Sequence, residues 1–186
     1  MSPVDVQTHL PFDARPFGDR SADPWYRAAL LARLRTPARV RRALLDGHER
    51  ADAAEVELAR DALTVRGLTP WIPWNPVAAP VLLVAGEVPA QPGVAVVGTR
   101  SSDPYGLACS RRVAEDAVAL GVPVVSGGAE GCDVAAHEAA WRAGGVTVVV
   151  LPCGHDRPYP VSNRPLFASV VEARGAVVSP WWPDTP

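Results

Sequence analysis

Lysine is absent from this chain of 186 residues, so all 18 of its cations are arginine. A bias that runs through the whole chain reflects genome composition and marks no site, although guanidinium groups suit bidentate phosphate contacts. Cysteine is scarce. Cys109, Cys132 and Cys153 are odd in number and form no C-x-x-C pair. That argues against a disulfide framework and for a reducing compartment. Their spacing fits no metal site, so packed thiols and no metal are expected. Long hydrophobic runs are also missing. The longest, Val146 to Leu151, is interrupted by Thr147 and is far too short to span a bilayer. Residues 1–20 hold Asp5, Asp13 and Asp19 and no apolar core, which is unlike a signal peptide, so the expected location is the cytoplasm, with no membrane partner. Neither sign of charge dominates: 18 basic and 20 acidic groups leave a net charge of -2. This excludes a protein basic over its whole surface and leaves room for a local basic groove.

The chain is 48% apolar and 20% charged, the composition of a globular protein. Its length predicts one main domain with a small extension. Residues 1–23 are punctuated by Pro and Asp and read as a loose arm. Residues 24–66 read as a small helical domain. A first helix runs through Trp25, Ala28, Ala29 and Leu31 to Leu34. A second is capped by Thr36 with Pro37 behind it and ends at Gly47. A third covers 52–66. Residues 67–92 hold six prolines and read as an extended connector with a strand at Val81 to Val84. From residue 93 to 186 strands and helices alternate. Strands are expected at Val94–Val97, Val122–Val125, Val146–Leu151 and Ala176–Ser179, and helices from Asp103 to Leu120, Asp133 to Ala143 and Asn163 to Ala173. This alternation predicts an α/β fold: a Rossmann-like parallel sheet with flanking helices.

Ligands of open α/β sheets bind beyond the carboxyl ends of the strands. The first strand ends in Gly98-Thr99-Arg100-Ser101-Ser102 and the second in Ser126-Gly127-Gly128-Ala129-Glu130-Gly131, each leading into a helix. Backbone N–H groups at helix starts favour anions, and glycines let a phosphate approach. Arg100 adds a fork of donors, and Ser101 and Ser102 add hydroxyls. Neither segment is a G-x-G-x-x-G fingerprint or a Walker loop, so no cofactor is expected. The bland reading is that these glycines only shape tight turns. His137 lies four residues after Asp133 on one helix face. It is either a contact near the second loop or a packed histidine bonded to Asp133. Arg33, Arg35, Arg39, Arg41 and Arg42 form a basic stretch that is a solvated face or an auxiliary nucleic-acid contact. Tyr105 or Trp181 could stack a base, though packing accounts equally for Trp181-Trp182.

Taken in order, several segments resemble the DNA-processing protein A (DprA/Smf) family. They are Val94–Arg100, Pro104-Tyr105-Gly106, Val124–His137, Leu151-Pro-Cys-Gly154, and Tyr159-Pro160 with Asn163-Arg164 and Leu166. The match runs in register over residues 67–186, and residues 24–66 resemble that family's helical domain only loosely. The resemblance implies a Rossmann-like domain that binds single-stranded DNA without cutting it, protects the strand and assists a RecA-type recombinase. By motif, Arg100 and Ser101 contact phosphate, Gly127, Gly128 and Gly131 shape the second loop, and Asn163 and Arg164 stand at its rim. Two departures stand out. The family usually has a basic residue where this chain has Glu130. Its domain also normally continues with strands beside the first strand, as short stand-alone relatives, some of them in phages, do not. An uncovered Val94–Val97 edge is an aggregation hazard, so a cover is expected: strand Val81–Val84, a second copy giving a homodimer, or a partner. The runner-up reading is a sensor of a nucleotide-derived ligand, because a carboxylate beside a glycine-rich loop can take ribose hydroxyls. An enzyme resembling nucleoside-monophosphate phosphoribohydrolases is disfavoured, since their P-G-G-x-G-T segment is missing.

Overall fold

A computed structural model describes residues 22–47, 49–73 and 79–186. All but the last two residues of the expected N-terminal arm lie outside them. Helix α1 (Pro24–Leu34) starts where Asp23 accepts from the Trp25 N–H at 2.9 Å, with Pro24 in the first turn. Helix α2 (Pro37–Asp46) is capped by Thr36 and stopped by Gly47 in the left-handed conformation. Helix α3 (Ala53–Thr64) begins with a reciprocal Asp52–Glu55 capping box. The chain then forms β1 (Thr69–Trp71), β2 (Leu82–Gly86), β3 (Val94–Ala95), α4 (Pro104–Ala119), β4 (Val124–Gly127), α5 (Cys132–Arg142), β5 (Thr147–Val150), α6 (Arg164–Glu172) and β6 (Ala176–Ser179).

The strands form one sheet in the order β1-β2-β6-β5-β4-β3. The expected parallel sheet holds for β3 to β6, but β2 runs antiparallel to β6 and β1 antiparallel to β2. A parallel neighbour needs a crossover of about a dozen residues or more, and only ten separate β1 from β2. Strand Val81–Val84 is therefore corrected in both bounds and place. It lies at Leu82–Gly86 and pairs with β6, not with β3. Leu83 anchors it there, buried with Leu30, Leu31 and Leu63 of the helical segment. The outer edge of β3 has no partner strand among the described residues. Strand β4 starts two residues later than expected. Val122 N–H bonds back to Ala117 at 2.9 Å, and Pro123 has no N–H to offer.

From β3 to β6 each crossover steps in the same direction. Right-handed crossovers then place α4, α5 and α6 on one face. Ala114, Ala117, Ala136 and Ala140 cover Val96 and Val124 there, and Phe167 and Val170 cover Val149 and Val177. The opposite face buries Val84, Val148, Ala176 and Val178 as a strip. Nearer the open edge that face carries Val97 at 76% exposure.

Candidate nucleic-acid interface

Because β3, β4 and β5 are parallel, three loops meet at one end of the sheet: 96–103, 128–131 and 151–163. The first two interlock. Gly131 has φ of +80°, and a Cβ there would run into the carbonyl oxygens of Thr99 and Arg100. A Cβ on Gly98 would strike the Cys132 side chain. Cys132 N–H donates to the Thr99 carbonyl at 3.2 Å, and Ser101 N–H to the Thr99 hydroxyl at 3.2 Å. Ser102 and Ser110 hydrogen-bond the packed Cys132 thiol and hold it below the usual thiol range.

The helix starts correct one expectation. Asp103 caps α4 by accepting from Gly106 N–H at 2.7 Å, so this positive end is answered by the chain's own carboxylate. Helix α5 has no side-chain cap, but buried Asp133 sits in its first turn and accepts weakly from Ala129 N–H at 3.4 Å. A Cβ on Gly127 would fall 2.6 Å from the same carboxylate. Helix ends therefore add little here, and the positive charge of the site comes from the exposed side chains Arg100 and Arg164.

The third loop closes on the other two. Asn163 Nδ2 donates to the Gly128 carbonyl at 2.9 Å, and the Ser162 hydroxyl donates to Glu130 Oε1 at 3.2 Å. The Arg100 guanidinium lies 5.8 Å from the centroid of the Tyr159 ring, which is 56% exposed. This is a cation–π distance. Thr99, Arg100, Glu130, Gly131 and Asn163 are thus tied together by these contacts, Gly98 packs on Cys132 beside them, Gly128 is buried beneath, and Arg164 follows Asn163 in the chain.

Other expected residues lie elsewhere. His137 is fully buried and offers no face to a ligand. Its Nε2–H donates to the Gly127 carbonyl at 2.7 Å, and Nδ1 meets the Thr147 hydroxyl at 2.7 Å, so Asp133 is not its hydrogen-bond partner. It props the second loop from beneath. Ser126 is likewise buried, bonded to the Val96 carbonyl. Tyr105 is 78% exposed on α4, where a hydrogen bond with Cys109 raises its pKa, and its described contacts do not reach the Arg100–Tyr159 pair. Trp182 packs against the helical core. Arg33 pairs with Glu49 and Glu55, and Arg35 with Asp184, so the basic stretch is partly neutralised. Sequence reasoning passed over Tyr159 as a site residue and missed Ser162. Tyr159 stood in a motif, but nothing in linear spacing brings it to Arg100.

The fold and these loops define a Rossmann-like α/β protein whose strand-end loops gather on one side of the sheet. The chain matches the DNA recombination-mediator protein A family over residues 71–186, well over half its length, and it belongs to that family. It is 36% identical over 117 residues to protein Smf of Synechocystis, a match covering 59% of this chain and 29% of the relative. It is 44% identical over 78 residues to a putative DNA processing protein DprA of Mycobacterium tuberculosis, covering 42% and 20%. The matched stretches thus span less than a third of these relatives' own lengths. The crystal structure of DNA processing protein A from Streptococcus pneumoniae shares the fold, with a TM-score of 0.57 at 22% identity over 90% of this chain and 66% of that one. No helix among the described residues is long and apolar enough to cross a membrane.

Proposed function

We propose that this chain binds single-stranded DNA across the ends of β3, β4 and β5 as a non-enzymatic recombination mediator of the cytoplasm. The observation that carries this reading is Arg100 beside the exposed Tyr159 ring. A guanidinium for the phosphate next to an aromatic face for the base is what a sequence-tolerant strand site needs. Arg164 extends the positive charge along the same surface, and family membership supports the role. The partners this reading expects are a RecA-type recombinase and a second copy of the chain along the open edge of β3. Co-sedimentation checks both. Glu130 favours one other reading, a nucleotide-derived ligand whose ribose hydroxyls it would hold.

The test is fluorescence anisotropy with a labelled single strand of ~30 nucleotides. Arg100→Ala should weaken binding at least about tenfold, the scale of losing one charge-assisted contact. Unchanged affinity would refute the site.

A further inference from the structure

A cleft of about 310 Å³ opens between the helical segment and α6, floored by the sheet. Leu68, Ala85 and Phe167 give it an apolar lining, and Arg66, Arg164 and His155 stand around it. We propose that this cleft takes one unstacked nucleobase together with its phosphate. The inference rests on the reading above for its choice of ligand.

Three observations support it. The volume is at the small end of ligand sites, enough for a single nucleotide. The polar groups match such a ligand. Arg66 is fixed in place by Asp156, its Nε 3.1 Å from both carboxylate oxygens, and by the Ala62 carbonyl at 2.7 Å; Asp156 also lines the cleft, so this pair adds little net charge and the phosphate contact falls to Arg164. Arg164 has no ion pair among the described residues, which leaves its guanidinium to a phosphate. His155 Nε2–H donates to the Val177 carbonyl at 3.1 Å, so Nδ1 is an acceptor, and it is buried with no hydrogen-bond partner. Burial keeps that ring neutral by lowering its pKa. A buried acceptor without a donor is unfavourable, and every nucleobase carries an N–H that satisfies it once a side-chain shift uncovers Nδ1, which solvent does not reach in this structure. The third observation is position. Arg164 follows Asn163, whose amide holds the second loop, so a strand leaving the Arg100 surface reaches the cleft next.

The experiment is calorimetric titration with thymidine monophosphate, using inorganic phosphate for comparison. Ala168→Trp fills the cleft from an exposed position on α6. His155→Phe keeps a ring and removes the acceptor together with the Nε2–H bond to Val177. Wild type should bind the nucleotide, with phosphate alone at least about tenfold weaker. Ala168→Trp should abolish binding, and His155→Phe should weaken it about tenfold. No binding to wild type, or binding lost in Arg100→Ala but kept in Ala168→Trp, would overturn the cleft. Should Ala168→Trp not fold, His155→Phe decides alone. Anisotropy with a thymidine strand and its abasic counterpart separates the sources. A preference for the base-bearing strand that Ala168→Trp erases makes the strand the source, and equal binding makes it the free nucleotide. Strand binding that fails while the nucleotide still binds removes the mediator reading and leaves the cleft.

Discussion

In the proposed strand site, Glu130 sets how strongly a phosphate can be held. It is exposed, bonded to Ser162, and stands on the loop that Gly131 locks against Arg100. A carboxylate there repels a strand, whereas the reversed charge would add a contact. Glu130→Arg is therefore expected to tighten single-strand binding about three- to tenfold and to steepen the salt dependence by about 0.7, one phosphate's worth. Anisotropy reads both quantities, and an unmoved affinity places Glu130 outside the strand's path.

At the scale of elements, the site depends on how tightly the loops are packed. Gly131 combines positive φ with two carbonyl oxygens where a side chain would go, whereas Gly144, with φ of +75°, has open space around it. Gly131→Ala should therefore cost more than Gly144→Ala, with about 1–3 kcal/mol expected for the strained position. Urea unfolding of the two variants compares them directly, and equal losses would mean the loops do not interlock. The helix starts were legible in the sequence because caps are local: Asp23, Thr36, Asp52 and Asp103 each bind a backbone N–H within three residues. The glycine loops were legible for the same reason. Strand β1 was hidden by Pro70 inside it. The pairing of β2 with β6 could not be read, because it depends on which distant core Leu83 enters. The Arg100–Tyr159 contact and the Ser162 bond to Glu130 are tertiary, and no local pattern encodes them.

Across the whole molecule, His137 and His155 link stability to pH. Burial lowers both pKa values below the ordinary 6.5. The unfolded chain takes up protons near that value and the folded chain resists them. Their contribution is thus complete above about 6.5 and is lost as pH falls through the depressed folded values. The melting temperature should drop between about pH 7 and 5.5, and His155→Phe should flatten part of that drop. A level profile across that range would contradict the neutral, buried state of both rings.

The central claim is a phosphate-reading surface for single strands, and its most direct measurement is the salt dependence of binding. A labelled strand of ~30 nucleotides is titrated at several salt concentrations beside a duplex of the same length, and log K falls by about 0.7 per phosphate neutralised. The account predicts about micromolar or tighter binding at low salt, a slope of about 1.4 from Arg100 and Arg164, and weaker binding to duplex. Absence of binding at low salt, or binding indifferent to salt, would contradict it.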